Sequence, residues 1–309
     1  MLNAETATHS RVRVRYLMGA FMVFVSAFCF AMKGILIKLA YQYPIDAISL
    51  LSLRLLFALP FYVGIAYAAS KRLPPTNLTR RQWLSLVMLG IIGYYLASYF
   101  NFLGLVYITA GLERILLFVY PTFVLLMNAV LYRRSVSRLQ WGALFLTYAG
   151  ILLAFLENIE TGEQRDLILG SFWVIVSGIV YAVYLVGSDS MIARVGAQRY
   201  TCYALIAATV PTVIHNFIHN GFHLGIFPAP VYGLAVTMAI GVTVIPTFLI
   251  AEGIKRVGSG NASIIASIGP IFTLVLATTI LGERISWLQV VGTLLVLAGV
   301  FLISWRGKR

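Results

Sequence analysis

The chain has 309 residues, of which 60% are hydrophobic and 11% charged, and it carries a formal net charge of +13. A soluble globular domain is nearer half apolar and a quarter charged, so the composition excludes an ordinary water-soluble enzyme. The excess charge would suit a nucleic-acid binder, but its placement, taken up below, excludes that class too. A bilayer span needs ~20 mostly apolar residues. In chain order the predicted spans are 17–39, 46–68, 83–105, 109–131, 139–156, 168–188, 199–219, 230–251, 260–281 and 287–305. The segment 83–131 is too long for one helix, and Gly104, Thr109 and Gly111 mark the break within it.

With the N-terminus placed in the cytoplasm, seventeen of the 23 Lys and Arg residues fall on the inner side, from Arg11, Arg13 and Arg15 through Arg133, Arg134 and Arg138 to Arg306, Lys308 and Arg309. Only Arg165 and Arg284 fall outside, and Lys33, Lys38, Arg54 and Arg114 lie within spans. This is the positive-inside bias, and it predicts that both termini are cytoplasmic. The outer loop after span five is acidic instead, with Glu157, Glu160, Glu163 and Asp166. The basic side is expected to face anionic lipid heads. The basic start followed by ~23 apolar residues reads as an uncleaved first span. Cys29 and Cys202 lie in apolar spans, one in each half, and read as packed free thiols.

The sequence is one motif written twice. Residues 104–153 align without a gap on 253–302: Gly104 meets Gly253, Gly111 meets Gly260, Pro121 meets Pro270, Phe123 meets Phe272, and Ala149-Gly150 meets Ala298-Gly299. The first two spans of each half match at a slightly different offset, pairing Gly19 with Gly170, Ser26 with Ser177 and Pro60 with Pro211. Each half holds five spans, so the second must enter the bilayer from the opposite side. The fold class predicted is therefore an all-α integral membrane protein of ten transmembrane helices in two inverted five-helix repeats. The divisions are a cytoplasmic segment 1–16, a first repeat 17–156, an acidic extracytoplasmic loop 157–167, a second repeat 168–305 and a cytoplasmic tail 306–309. Inverted repeats suit alternating access about a midplane site, and they also occur in channels.

These residues resemble the EamA-type branch of the drug/metabolite transporter superfamily. The resemblance is carried by the tract Gly104–Pro121 with Gly-Leu-x-Tyr-Ile-x-Ala-Gly, then Leu281-Gly282-Glu283-Arg284, Gln289-x-x-Gly292 and Ala298-Gly299, in that order and with doubled placement. Where Leu-Gly-Glu stands in the second half, the first has Leu131-Tyr132-Arg133-Arg134, so Glu283 is expected to make no more than a loop contact. The resemblance implies proton- or gradient-driven carriage of small metabolites such as amino acids, often outward. The expected location is the inner (plasma) membrane of a bacterium.

Ionisable groups in hydrocarbon cost about 2.5–3.5 kcal/mol each on insertion scales, which makes them functional candidates. Lys33, Arg54, Glu113 and Arg114 lie on spans one, two and four, all roughly 6–12 Å below the outer surface at 1.5 Å per residue. They form either a shared polar site in the solute path or an ion-pair lock between helices. In the first case Glu113 partly neutralises the cluster, a spare cation holds a carboxylate or other anion, and Glu113 is the proton-coupling candidate. Lys38, nearer the surface, is expected to snorkel. The repeat sets Tyr184 opposite Lys33, Leu205 opposite Arg54, and Ala262-Ser263 opposite Glu113-Arg114, so specificity is expected to lean on the first half.

Tyr94, Tyr95, Tyr99 and Asn101 lie along span three, and Tyr181 and Tyr184 along span six. Tyr95, Tyr99 and Tyr184 are candidates to line the site; helix packing is the alternative. Ser263 is a further lining candidate, although Ser259, Ser263 and Ser267 at four-residue spacing also suit close helix approach. Pro121, Pro246 and Pro270 mark either kinks facing a cavity or packing bends. His215, His219 and His223 would share a face on a continuous helix, but Gly221 is expected to end it, and no metal site is assigned. The chain has no His-Glu-x-x-His, Gly-x-Ser-x-Gly or phosphate loop, so neither catalysis nor a cofactor is expected. The partners expected are a small-molecule solute and membrane lipid, not nucleic acid, with a homodimer left open. A passive channel and a membrane-embedded enzyme are the competing readings.

Overall fold

The structure, a computed structural model, describes residues 2–72, 77–131, 136–161, 165–221 and 223–306. Those residues are helical throughout, joined by short turns and with no strand among them. In chain order the elements are α1 (Leu2–Ala40), α2 (Ala47–Arg72), α3 (Arg80–Tyr107), α4 (Ala110–Leu131), α5 (Arg138–Thr161), α6 (Leu167–Val195), α7 (Ala197–Asn220), α8 (Ala229–Val257), α9 (259–281) and α10 (Trp287–Arg306). Nine helices among the described residues are long and apolar enough to cross a membrane, and Trp287–Leu302 adds a shorter apolar one. The two-helix division of 83–131 is seen, with Ile108 and Thr109 extended between α3 and α4. Helix α1 starts at Leu2, so the basic N-terminal segment continues the first span rather than preceding it as a separate piece. Arg133, Arg134, Glu163, Lys308 and Arg309 lie outside the described residues.

The halves interlock helix by helix. α1 packs on α8, while their counterparts α6 and α3 pack on each other; α5 packs on α10, and α2 on α7. These contacts are close because glycine faces glycine. A Cβ added at Gly104 of α3 would meet Val174 Cγ2 at 2.5 Å and the Gly170 carbonyl at 2.9 Å. A Cβ at Gly253 of α8 would meet Val23 Cγ2 at 2.5 Å and the Gly19 carbonyl at 3.0 Å. With no hydrophobic drive between helices in lipid, such close backbone approach and its dispersion contacts hold helices together.

The helices are interrupted at matched places. α3 contains a π-helical turn at Ile91–Leu96 and α8 one at Ile240–Val244. In α8 the cause is local: Pro246 has no N–H to offer the turn before it. α3 has Ala97 at the equivalent position, and there the packing differs instead, because the Tyr184 ring occupies the space where a side chain at Gly93 would stand. A hydroxyl supports each wide turn. Ser26 of α1 donates to the Pro246 carbonyl at 2.9 Å, and its repeat partner Ser177 of α6 donates to the Ala97 carbonyl at 2.7 Å. α4 breaks at Phe118–Val119 ahead of Pro121, and α9 breaks at Ser267–Ile268 ahead of Pro270. In both the chain crosses the break on three-residue bonds, Val119 N–H to Leu116 O at 3.1 Å and Ile268 N–H to Ile265 O at 3.4 Å. These four interruptions lie within the spans, where protein can satisfy the backbone; a further π-helical turn, Ala277–Leu281, ends α9.

The glycine contacts yield a test. Gly253→Ala should lower the melting temperature of the detergent-purified protein, at a cost of about 1–3 kcal/mol from overpacking against the α1 backbone. Gly64→Ala, on a part of α2 with nothing within 4 Å of the new methyl, should be neutral or stabilising.

Candidate solute-binding cavity

A cavity of about 410 Å³ lies where the two π-helical turns face each other. Much of its wall comes from repeat-equivalent pairs: Phe30 and Tyr181, Gly93 and Val242, Tyr94 and Thr243, Ser98 and Thr247, Asn101 and Ile250. The π-turns sit near the midpoints of α3 and α8, so the wall lies at mid-height in the bundle. Leu117, Phe118 and Tyr120 add the broken stretch of α4.

Three of the four predicted intramembrane charges, Lys33, Arg54 and Arg114, line this cavity. The Lys33 ammonium donates to Asn101 Oδ1 at 2.7 Å, and Asn101 Nδ2 donates to Glu113 Oε1 at 2.5 Å. Glu113 is only 2% exposed and stands behind Asn101 rather than in the wall. Its carboxylate reaches Lys33 through the Asn101 amide and does not line the cavity. Arg54 is 7% exposed; its Nε donates to Thr243 Oγ1 at 3.0 Å, across the boundary between the halves. That hydroxyl in turn donates to the Met238 carbonyl at 2.9 Å, five residues back in the π-turn. Arg54 Nη1 and Arg114 Nε are buried with no protein acceptor. Among the described residues the ion pairs join Glu252 to Lys255 and Arg256, so no carboxylate locks Lys33, Arg54 or Arg114 directly.

The other predicted residues fall elsewhere. Tyr184 is buried behind the wall, donating to Tyr94 Oη at 3.1 Å and backing Gly93. Tyr95 and Tyr99 do not line the cavity. They gather around His215, with Tyr95 Oη 2.8 Å from His215 Nδ1 and the Tyr99 ring 4.9 Å from the imidazole. His215 is thus engaged by tyrosine, and Gly221 ends α7 before His223, as the sequence indicates. The Ser263 side chain lies outside what the structure describes. Thr243, Phe30 and Tyr120 escape a sequence reading, because nothing in an apolar stretch says which hydroxyl or ring faces inward. Asn101 is visible as a polar residue in span three, but its bridging role depends on the α3–α4 approach.

Two residues near the α1–α2 end do more than expected. Glu283, from the loop after α9, accepts the Ala110 N–H at 2.8 Å and the Gly111 N–H at 3.1 Å. A carboxylate of the second half thereby caps the start of α4 in the first, where the orphan N–H groups and the helix dipole favour an anion. Lys38 does not snorkel outward. It donates to the Leu105 and Ile108 carbonyls at 3.2 and 3.1 Å, closing the end of α3. At the same end Asn220 of α7 donates to both Asp46 carboxylate oxygens at 3.1 Å.

Comparison with known proteins agrees with this architecture. The model of the EamA-like transporter family matches residues 17–156 and again 168–305. An uncharacterized transporter of Bacillus subtilis (strain 168), YcbK, is 31% identical over 290 residues, 92% of this chain and 91% of that one. A probable terminal-alkyne amino-acid exporter of Streptantibioticus cattleyicolor is 27% identical over 261 residues, 80% of this chain and 82% of that one. A solved crystal structure shares the fold with a TM-score of 0.63 at 15% identity, covering 94% of this chain and 98% of that one. The fold and the matches define a multi-pass membrane transporter. The chain belongs to the EamA-like transporter family.

The Glu283 cap is open to titration. Burial pushes its carboxyl above the ordinary value of 4.5, against the pull of the two N–H donors and of Lys38. A carboxyl raised in the folded state contributes stability that is present at acid pH and lost as pH rises through the raised value. Glu283→Gln should flatten that part of the melting-temperature profile above pH 4.5. Glu283→Ala should destabilise the protein by about 1 kcal/mol, as loss of a helix cap does.

Proposed function

We propose that this transporter is a secondary-active carrier that moves a small amphipathic metabolite, an amino acid or a related compound, outward by alternating access. The observation that carries this reading is the cavity at the meeting of the two π-turns, walled by equivalent residues of both halves. Two near-equivalent bundles around one midplane site can exchange inward-open and outward-open arrangements. Five spans per half give the halves opposite senses in the bilayer, and the loop charges support ten spans with both termini in the cytoplasm of a bacterial inner membrane. Cationic heads beside aromatic rings suit a solute with a polar head and an apolar body. The similarity to a probable amino-acid exporter supports the direction and the class. Proton or other gradient coupling runs through Glu113, whose charge reaches the wall by way of Asn101 and Lys33. The partners proposed are solute and lipid.

Reconstitution into proteoliposomes tests this. A carrier gives saturable flux and counterflow; flux that never saturates would mean a channel, and a chemically altered solute an enzyme. Lys33→Ala and Arg54→Ala should insert normally and lose about tenfold or more of the flux, each removing a charged hydrogen bond of about 1.5–3 kcal/mol. Normal flux in both variants would remove the cavity from the transport path. Reporter tags should place both termini in the cytoplasm.

A further inference from the structure

The charge in the cavity wall is unbalanced. Lys33, Arg54 and Arg114 line it, and among the described residues no Asp or Glu does. Glu113 reaches it only through Asn101, and that relay sets one acid against one cation, Lys33. The two guanidiniums remain. Arg54 spends its Nε on a neutral threonine hydroxyl and leaves Nη1 buried without a protein acceptor. Arg114 leaves its Nε in the same condition. Each stands near an aromatic ring, Arg54 at 5.7 Å from the Phe102 centroid and Arg114 at 5.9 Å from that of Phe118. Such rings stabilise the cation and accept none of its in-plane hydrogen bonds. A guanidinium cannot shed its proton to escape burial, so its remaining donors call for an anion.

We infer that the solute is an organic anion with no compensating ammonium, its carboxylate taken by Arg54 and its apolar body set against Phe30, Tyr94 and Tyr181. This rests on the carrier reading and, within its solute class, favours the related carboxylates over the zwitterionic amino acids. A zwitterion offers the same carboxylate but brings an ammonium into a wall whose described residues include three cations and no acid. A guanidinium fork binds a carboxylate on two parallel hydrogen bonds, so Arg54 supplies geometry as well as charge. Arg114 supplies the second uncompensated positive charge.

Three probes with one phenyl body separate the cases: 3-phenylpropanoate, phenylalanine and 2-phenylethylamine. Binding is read by thermal shift of the purified full-length protein, and transport by inhibition of counterflow in proteoliposomes. The propanoate should bind at least about tenfold more tightly than phenylalanine, and the amine should not bind. Arg54→Gln should lose that preference. Arg54→Lys should keep part of the affinity, since the charge stays and the fork goes; it also serves if Arg54→Gln does not fold, as the melting temperature without ligand will show. Equal or tighter binding of phenylalanine, binding of the amine, unchanged anion affinity in the Arg54 variants, or no binding by any probe would overturn the inference. Counterflow of phenylalanine without anion preference leaves the carrier standing and removes the anion. Anion binding without counterflow of any probe leaves the anion site and removes the carrier.

Discussion

Hydrocarbon offers a backbone no hydrogen bonds, and that constraint shapes the molecule. It makes every described span helical and confines each irregularity to places where protein supplies the missing partner. The π-turn of α8 arises because Pro246 lacks an N–H, and Ser26 steadies it from α1. The α3 turn has no proline, yet it sits at the same position with Ser177 as its support. The chain widens α3 and α8 where the two halves meet, and widens α9 again at its end, Ala277–Leu281. The cavity follows from this, because a wide turn displaces side chains such as Tyr94 and Thr243 from the register of the flanking helix.

The scaffold is doubled, but its chemistry is not. Close helix pairs, breaks and supporting hydroxyls recur in both halves with nearly the same distances. The cations occur once. Lys33, Arg54 and Arg114 all belong to the first half, and the second answers with Tyr184, Leu205 and Ser263. Arg54 is nevertheless held by Thr243 of the second half, and Glu283 of the second half caps α4 of the first. The charged side of the cavity is therefore positioned by the half that adds no charge to its described wall. A relative movement of the halves would disturb the Arg54–Thr243 bond and the Glu283 cap together, which ties the cavity wall to the geometry of the α1–α2 end.

Much of this was legible in the sequence because lipid imposes simple rules. Length and hydropathy give the spans, and a lysine or arginine amid apolar residues stands out whatever its neighbours. Three of four such charges do line the cavity. The fourth, Glu113, stands behind Asn101 and outside the wall, a matter of which side chain lies between two helices. Tyr95 and Tyr99 share a helix face, as their spacing requires, but that face meets His215 rather than the cavity. The π-turn, which contains Tyr95 and ends shortly before Tyr99, shifts the phase of the helix, and a period of 3.6 residues does not anticipate the shift. The contacts of Lys38 and Glu283 escape a sequence pattern for a related reason: their partners are backbone groups at helix ends, which no side-chain pattern records.

By itself, then, the chain's residue order determined that it crosses a bilayer many times, that its halves are copies, and that positive charge is buried in one of them. Those properties are set by hydropathy, periodicity and residue type, which are local and additive along the chain. Tertiary structure decided which charges face the cavity, which acid pairs with which cation, and which guanidinium donors remain unpaired. These depend on helix phase and on the approach of segments far apart in sequence, where a rotation of one residue exchanges a lipid-facing side chain for one that lines the site.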